Sequence, residues 1–558
     1  MSRIVTGRYM PEFDYIVIGS GSAGAIIAAR LAENPETRVL LLEAGPKDSS
    51  LLFRIPAAMR FAYDAPRYNW NYETQPEQYM NDRRIRQPRG RVLGGSSSIN
   101  GQLYLRGHPL DYEGWAEAGA SGWSYAEVLP YFMRLESSLD GDSDYRGSQG
   151  SIGVSTVAPN PLEQAFLNAG REAGYLQTAD VNGAQQDGFG RLPKNVAGGR
   201  RSSTSQCYLR NPPKNLIIQT GCHARRILLS GRRATGVEYE RHRQTFSART
   251  RREAVLCGGA YNSPSLLMQS GVGPASHLRA LGINVAHDLP GVGENLMDHP
   301  LTSVQVTCTV PVTLHKHLNP FGLVKGFLDW MLFRKGLLAN NHFDVVSFIR
   351  SKPGVKFPDL QVALFDVAVA EGSKDFVREH AFQLQISNQR PLSRGCVRLG
   401  SADPRAKPLI HLNMLEHPQD VEDLIMAIRL SRELLKQPSL AFYAGCEMSP
   451  GAGVATDRQI EDWLRSACHS SYHACGTCRM GTDHLAVVDP ECRVRGIEGL
   501  RVADASIMPA IPSANLNCPT MMIGEKAADL IAGKAPLTPL YLPYFVDPNW
   551  ETRQRRCR

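Results

Sequence analysis

The stretch FDYIVIGSGSAGAIIAARLAENPETRVLLLEAG, residues 13–45, decides the fold of the chain around it. Its two apolar runs, residues 13–19 and 37–45, predict buried strands because each is continuous and ends in glycine. The small residues between the runs predict a turn that opens a helix. Strand, helix and strand within about thirty residues match the size of a parallel crossover unit, so this part of the chain is predicted to be α/β.

The turn after the first strand has the pattern of a dinucleotide site. Gly19, Gly21 and Gly24 form GxGxxG, with Ser22 inside it, and Glu43 ends the second strand. The first glycine allows a tight turn, the second allows backbone to approach a pyrophosphate, and the third allows close packing of helix and strand. The acid suits a ribose hydroxyl. The pattern predicts a bound dinucleotide and leaves open whether it is FAD or NAD.

Composition and charge are those of a multidomain globular protein. The chain has 558 residues, of which 42% are hydrophobic and 21% charged. Its net charge of +8 includes the basic end RQRRCR (553–558), predicted to be a solvated tail. The other arginines are scattered among acids, so nucleic acid is not expected as a partner. The N-terminal residues lack a signal-peptide pattern and no apolar run reaches 18 residues, which predicts a cytoplasmic location without a spanning helix.

Further patterns predict individual elements of the middle of the chain. Residues 215–243 alternate as strands with a turn at 231–233, and residues 418–437 have the pattern of a long helix. Within 253–273, a strand and a glycine turn precede a helix that Asn262 or Ser263 is expected to cap, with Pro264 at its first position.

The segment FGLVKGFLDWMLFRKG (321–336) is apolar and aromatic with interspersed charge. One interpretation is a helix packed on the core. The other is a helix on a membrane surface, which would make the protein peripheral on the inner face of the membrane. Both interpretations stay open at this point.

Six further motifs follow the dinucleotide pattern along the chain. They are GRVLGGSSSINGQLY (90–104), GAYNSPSLLMQSGVG (259–273), GVGENLMDHP (291–300), YHACGTCRMG (472–481), VADASIMP (502–509) and NLNCPTMMIGEKAAD (515–529). With these motifs the chain resembles the glucose–methanol–choline (GMC) oxidoreductases, and within them the choline-dehydrogenase-like branch. The resemblance covers nearly the whole chain.

The resemblance implies an FAD-binding Rossmann-like α/β domain interleaved with an α+β substrate domain built on a large antiparallel sheet. The domains implied are an FAD-binding part over 11–305 with an excursion at about 110–195, a substrate part over 306–463, a return to the FAD domain over 464–535 and a tail over 536–558. It also implies oxidation of a primary alcohol by hydride transfer to flavin N5. Electrons would pass to a quinone or another carrier.

The same resemblance implies the residues that hold FAD. Gly19, Gly21, Ser22, Gly24 and Glu43 would hold its ADP half. The other cofactor residues implied are Arg91, Gly94, Gly95, Ser96, Asn100, Gly101, Gln102, Leu103, Ala224, Asp504, Ala505, Asn517, Pro519 and Thr520. Members with covalent flavin carry histidine directly before the asparagine of the first motif. Here that position is Ile99, which implies noncovalent FAD.

His473 is the implied catalytic base, because an imidazole titrates near working pH. Asn517 is implied to bond the substrate oxygen, and His299 is expected to be structural. Cys475 and Cys478 form a CxxC, which serves zinc or redox chemistry in other contexts. Only Cys492 lies nearby downstream, and it is unpaired. The cysteines are therefore predicted to pack a turn that presents His473, and no metal is predicted.

The substrate is less well defined. Asp344 and Phe365 are candidate pocket residues, and Asp344 is interpreted either as a partner for a cation or as a structural carboxylate. Choline is one candidate among several primary alcohols. An alcohol oxidase that uses O2 stays open, as does a lyase or a light-driven decarboxylase of the same fold.

Overall fold

The computed structural model describes residues 10–140, 144–370 and 375–555. Residues 1–9, 141–143, 371–374 and 556–558 lie outside the described residues. The N-terminal residues examined for a signal peptide and the last three residues of the predicted tail are among them.

The strands are numbered in chain order within the described residues. They are β1 (Glu12–Ile18), β2 (Val39–Glu43), β3 (Tyr72–Glu73), β4 (Arg86–Gln87), β5 (Glu136–Ser138), β6 (Ile152–Val154), β7 (Gly188–Arg191), β8 (Val196–Ala197), β9 (Arg200–Arg201), β10 (Leu216–Thr220), β11 (Cys222–Ser230), β12 (Arg233–Arg241), β13 (Gln244–Leu256), β14 (Val272–Gly273), β15 (His287–Asp288), β16 (Pro300–Cys308), β17 (Val345–Ile349), β18 (Leu360–Phe365), β19 (Ala381–Asn388), β20 (Cys396–Arg398), β21 (Leu409–His411), β22 (Ala444–Ser449), β23 (His469–Ser470) and β24 (Leu500–Val502).

The α-helices of the same ranges are α1 (Gly24–Leu31), α2 (Met59–Asp64), α3 (Pro109–Glu117), α4 (Tyr125–Leu135), α5 (Pro161–Glu172), α6 (Thr204–Tyr208), α7 (Gly259–Gln269), α8 (Ala275–Ala280), α9 (Pro320–Phe333), α10 (Pro418–Leu435), α11 (Pro438–Ala441), α12 (Asp457–Ala467) and α13 (Asn517–Ala532). Short 3₁₀ turns connect several of them. In the described ranges, no helix combines the length and apolarity that crossing a bilayer requires.

The first sheet has seven strands in the order β10-β2-β1-β13-β12-β11, with β24 paired to β13. The strands β10, β2, β1, β13 and β24 run parallel, and the β11–β13 meander is antiparallel. Helix α1 joins β1 to β2, so the predicted crossover unit is confirmed. The strands β1 and β2 are buried almost throughout, which explains their continuous apolar runs.

The second sheet is antiparallel, in the order β22-β16-β19-β18-β17-β7, with β23 paired to β16. Its residues alternate between two faces, as strand geometry requires. On β16, Val304 and Val306 pack into the core beneath α10, whereas Ser303 and Gln305 face a cavity. The mixed α/β fold class predicted from the sequence is therefore confirmed, and the cavity lies between the two sheets.

The two sheets share the chain in an interleaved way. Strand β7 joins the second sheet from within the predicted excursion, and β23 joins it just before the chain returns to the first sheet at β24. The predicted boundary at 305/306 falls inside β16.

Two local predictions are wrong. Helix α7 begins at Gly259, earlier than Asn262 and Ser263, and its first amide donates to Oδ2 of Asp504 at 2.8 Å. The described part of the predicted solvated tail is docked on the body. Gln554 donates to the carbonyl of Arg350 at 2.6 Å, and Arg555 pairs with Glu433 at 2.9 Å. These contacts with Arg350 and Glu433 hold the two residues against the rest of the protein although they lie near the end of the chain.

Candidate active site

One continuous cavity of ≈ 1380 Å³ runs from the turn after β1 to the polar face of the second sheet. Sites for one small molecule usually measure about 300–1,000 Å³. The cavity therefore has room for a dinucleotide at the first sheet and a substrate at the second.

The glycines of the first turn differ in what surrounds them. A Cβ on Gly24 would lie 2.0 Å from the carbonyl oxygen of Gly19, and one on Gly19 would lie 2.4 Å from that of Cys257. A Cβ on Gly21 would meet nothing within 4 Å, since this residue faces the cavity. The turn thus packs tightly against its neighbours at Gly19 and Gly24 and is open to the cavity at Gly21, which suits close approach of a pyrophosphate.

Glu43 lies at the end of β2 with its carboxylate held by the same turn. It accepts from the hydroxyl of Ser20 at 2.6 Å and from the amide of Gly45 at 2.7 Å. Burial raises the pKa of Glu43, against the effect of these hydrogen bonds. The carboxylate lines the cavity at the carboxyl ends of the parallel strands, where such folds bind nucleotides.

Most of the predicted cofactor residues line this cavity. They are Gly19, Gly21, Ser22, Glu43, Arg91, Gly95, Ser96, Asn100, Gly101, Gln102, Leu103, Ala224, Asp504, Ala505, Asn517 and Thr520. Gly24, Gly94 and Pro519 do not; a Cβ on Gly94 would lie 2.3 Å from the hydroxyl of Ser98.

Arg91 supports the presence of an anionic group here. Its Nε is buried without a hydrogen-bond partner, and its side chain has no ion pair among the described residues. A half-buried guanidinium with an unused donor matches the phosphates of a dinucleotide. The residues present therefore fit FAD.

His473 lies in the part of the cavity that faces the second sheet, in a loop held by a buried carboxylate. Its backbone amide donates to Oδ1 of Asp298 at 2.8 Å, and the hydroxyl of Ser470 donates to Oδ2 of the same residue. Burial raises the pKa of Asp298 to about 6. This carboxylate fixes the position of the His473 backbone.

A line of hydrogen bonds sets the protonation of His473. Nε2 of His299 lies 3.1 Å from the carbonyl of Gln389, which only accepts, so His299 carries its hydrogen on Nε2. Burial lowers the pKa of His299 to about 3, so its Nδ1 is an acceptor at neutral pH. That atom lies 2.9 Å from Nδ1 of His473, which must therefore donate. His473 keeps a lone pair on Nε2, facing Nδ2 of Asn515 at 3.0 Å.

The electrostatic environment keeps His473 neutral. Burial, followed by the electrostatic effects of His299 and Arg89, holds the pKa of His473 well below its ordinary value. The structure thus places a neutral imidazole in the cavity with an unprotonated nitrogen directed at an amide donor.

The asparagine paired with His473 is Asn515 and not Asn517, which corrects the sequence prediction. Asn517 begins α13 and its Oδ1 accepts from the hydroxyl of Ser22 at 2.8 Å, next to the glycine turn. Sequence reasoning also missed His299 as the partner of His473. Asn515 and Asn517 are separated by one residue in the motif, so the sequence offers no signal that tells these two asparagines apart.

The CxxC turn is a structural junction beside the site. Cys475 and Cys478 are buried free thiols, and burial raises the pKa of both. Between them, the hydroxyl of Thr477 donates to the carbonyl of Ala260 at 2.6 Å. That carbonyl lacks its helical partner because Pro264, four residues later in α7, has no amide hydrogen.

The two candidate substrate residues have different positions. Phe365 lines the cavity, stacked on Phe343 at 4.6 Å between ring centres. Asp344 does not line it; this buried carboxylate pairs with Lys194 and accepts from Asn340 at 2.7 Å. The structure therefore favours a structural Asp344.

Comparisons with known proteins agree with this arrangement. The family models described as GMC oxidoreductase match residues 13–301 and 391–524. A protein of Brucella suis biovar 1 (strain 1330) named oxygen-dependent choline dehydrogenase is 44% identical over 549 residues, covering 98% of this chain and 100% of its own length. One of the same name from Photobacterium profundum is 45% identical, covering 97% of each chain.

Solved structures extend the likeness to the fold. The crystal structure of pyridoxine 4-oxidase from Mesorbium loti aligns with a TM-score of 0.86 at 29% identity, over 94% of this chain and 100% of that chain. A structure of Aspergillus oryzae formate oxidase, whose title concerns FAD modification, aligns with a TM-score of 0.89 at 25% identity, over 94% of this chain and 99% of that chain.

Proposed function

The chain belongs to the GMC oxidoreductases and is an FAD-dependent enzyme that acts on the CH–OH group of an alcohol, and from that premise we propose that it oxidises a primary alcohol to the aldehyde with His473 as the base. Ile99, before Asn100, offers no nucleophile for covalent attachment, so FAD is held noncovalently by the residues of the cavity.

The observation that carries the proposal is the hydrogen-bond line His299–His473–Asn515. An alcohol oxygen beside this pair donates its hydrogen to Nε2 of His473 and accepts from Nδ2 of Asn515. The alcohol loses two electrons and two hydrogens in all, one of them as the proton taken by Nε2. Bound FAD supplies the acceptor for the electron pair and the hydrogen that leave the carbinol carbon.

The positive charge of Arg89 assists the same step. Arg89 lines the cavity, and its charge is one of the causes that lower the pKa of His473. A nearby cation stabilises the alkoxide that forms as the proton leaves. Asn515 then holds the alkoxide oxygen in place.

The test is anaerobic titration of the purified holoenzyme with primary alcohols while the visible flavin spectrum is recorded. We expect at least one alcohol to bleach the flavin band. His473→Ala should keep FAD and slow the bleaching by roughly 10²–10⁴-fold, the usual contribution of a general base. Turnover without bleaching would instead favour a lyase, and activity that needs light would favour a decarboxylase.

The acceptor of the electrons is proposed to be a quinone dissolved in lipid. Support comes from α9, which presents large apolar side chains to solvent and has only Gly326 and Trp330 buried. The exposed ones are Phe321, Leu323, Val324, Phe327, Leu328, Met331, Leu332 and Phe333. A helix packed on the core would bury such residues. An exposed group of neighbouring apolar side chains on a protein surface marks an interaction site.

The charges around α9 favour an anionic lipid surface as its occupant. Lys316 and Lys335 are exposed at either end of the helix. The acid on α9, Asp329, is neutralised by Lys325 at 2.7 Å. Apolar side chains framed by cations are typical of helices that lie in the interface of anionic membranes.

The position of α9 links this surface to the cavity. Trp330 packs against Ile55 and Ala58, directly before α2. Met59 and Arg60 of α2 line the cavity. An acceptor in the membrane would thus lie near the part of the cavity that Met59 and Arg60 line.

Molecular oxygen is the second candidate acceptor, because the relatives from Brucella and Photobacterium are named oxygen-dependent. Re-oxidation of the alcohol-reduced enzyme separates the two. We expect a soluble quinone to restore the flavin band faster than air-saturated buffer does. Faster recovery in air would make the protein an oxidase. The names of the same relatives make choline a candidate substrate.

A further inference from the structure

The substrate part of the cavity has a floor of three neighbouring strands, β16, β19 and β18. Their register places residues that line the cavity in three rows, which begin at the end of β16 next to His299. The rows are Leu301, Ser387 and Gln361, then Ser303, Gln385 and Ala363, then Gln305, Gln383 and Phe365.

This floor is polar and uncharged, since six of its nine residues carry a hydroxyl or an amide. Gln305 and Gln383 are bonded to each other at 3.1 Å. The amides of Gln361 and Gln385 have no hydrogen-bond partner within the part of the chain that the structure describes. Gln361 is only 7% exposed, and it lines the cavity, so a ligand there can bond to its amide.

The charges of the cavity are unfavourable to a cation. Carboxylates among its described lining residues are Glu43, Glu240 and Asp504. Glu43 and Glu240 lie on β2 and β12 of the first sheet, and Asp504 lies two residues after β24. The acids that directly flank β18, Asp359 and Asp366, lie outside the cavity lining. Asp344 also lies outside it and pairs with Lys194.

The aromatic end of the cavity is also occupied by a positive charge. The guanidinium of Arg60 lies over the ring of Phe376 at 4.9 Å, and both residues line the cavity. The carboxylate that pairs with Arg60, Asp375 at 3.4 Å, has a side chain 90% exposed, so water screens most of its charge. A quaternary ammonium bound at the same ring would be repelled by the positive charge of Arg60. At the other end of the cavity, next to His473, the positive charge of Arg89 lowers the pKa of that histidine.

Resting on the alcohol oxidation proposed above, we propose that the substrate is an uncharged primary alcohol with further oxygen atoms along its chain, such as a polyol or an ether alcohol, and not a quaternary ammonium alcohol. The hydroxyl carbon lies at His473, and Gln361 and Gln385 bond the following oxygen atoms. The apolar rest reaches Phe365 and Phe343.

The experiment compares matched alcohols in anaerobic flavin reduction by the holoenzyme. The set is choline, its uncharged carbon isostere 3,3-dimethylbutan-1-ol, and 2-(2-methoxyethoxy)ethanol. We expect the ether alcohol to reduce the flavin most efficiently and choline to be at least tenfold less efficient than its isostere. A choline efficiency above both others would overturn the proposal while leaving alcohol oxidation intact. Absence of reduction by every alcohol would instead remove the oxidation on which it rests.

Three pocket variants and one control test the residues. Gln361→Leu should lower the efficiency ratio of the ether alcohol to 3,3-dimethylbutan-1-ol at least fivefold, with Gln385→Leu as a second variant if the first fails to fold. Gln244→Leu, at an exposed glutamine of β13, is the control and should keep the ratio. Arg60→Gln should narrow the gap between choline and its isostere. Ratios that stay at the wild-type value in all three pocket variants would contradict the assignment.

Discussion

The Nδ1 atoms of His299 and His473 lie 2.9 Å apart, and the hydrogen between them belongs to His473. This follows because the other nitrogen of His299 donates to the Gln389 carbonyl. The contact leaves Nε2 of His473 as the free base. His299 is therefore a positioning residue that selects a tautomer and does not touch the substrate.

Removal of this acceptor should slow catalysis without loss of the cofactor. His299→Leu is expected to lower the rate of flavin reduction by roughly tenfold to a thousandfold. Without the acceptor, part of the His473 population carries its hydrogen on Nε2, where it cannot accept the proton of the alcohol. His299→Asn, whose amide oxygen accepts, should recover part of the rate. Stopped-flow reduction with FAD content as the control measures this; equal rates in both variants would argue against tautomer selection.

The pH dependence should reflect the low pKa of His473. Since a base with a lowered pKa stays unprotonated until the pH falls below that value, kcat/KM should remain high through mildly acid pH and decline only well below 6.5, the ordinary histidine value. Asp298, with a pKa of about 6, is the other group that titrates nearby. Asp298→Asn should leave the acid limb in place, whereas a limb that disappears in this variant would assign it to Asp298.

Substitution of the two asparagines in the motif NLN (515–517) should affect different properties, flavin reduction for Asn515 and FAD binding for Asn517. Asn515→Ala is expected to slow flavin reduction by roughly 10²–10³-fold with FAD retained, as for the loss of one donor to a developing oxyanion. Asn517→Ala should instead weaken FAD binding, because it removes the contact with Ser22. Equilibrium dialysis of FAD and stopped-flow reduction distinguish them, and the reverse pattern would restore the sequence prediction for Asn517.

Asp344 should behave as a structural residue. Asp344→Asn leaves the buried ammonium of Lys194 without its carboxylate. We expect a loss of about 3–5 kcal/mol in the free energy of unfolding, as for other buried pairs broken on one side. Glu498→Gln, which breaks an exposed pair with Arg233, is the matched control and should cost less than about 1 kcal/mol. A changed preference among alcohols at unchanged stability would place Asp344 at the substrate.

The surface of α9 should bind anionic vesicles. Phe333 on α9 and Phe442 after α11 are both 66% exposed, so Phe333→Glu and Phe442→Glu form a matched pair. We expect the wild-type protein and Phe442→Glu to sediment with phosphatidylglycerol vesicles, and Phe333→Glu to remain in solution. Wild-type protein that forms dimers and ignores vesicles would show that a second copy covers α9 instead.

Local patterns were sufficient for much of the fold. The crossover unit at 13–45, the meander at 215–243 and the helix at 418–437 were all predictable, because each depends on neighbouring residues and on alternation or continuity of apolar side chains.

Distant contacts explain what the sequence did not reveal. His299 and His473 are 174 residues apart, and Lys194 and Asp344 are 150 apart. No periodicity reports such pairs. The start of α7 was missed because Asp504, from the far end of the chain, accepts from its first amide. The choice between Asn515 and Asn517 depends on the direction of the chain entering α13, which only the structure shows.

The position of β24 also bears on how the protein is made. Residues 500–502 pair with β13, and β23 at 469–470 completes the second sheet, so neither sheet is finished until nearly the whole chain has left the ribosome. Until then β13 and β16 have unpaired backbone along one edge, a template for wrong partners. Contacts between such distant segments also form slowly. We therefore expect truncation before residue 500 to yield aggregates and no partial enzyme.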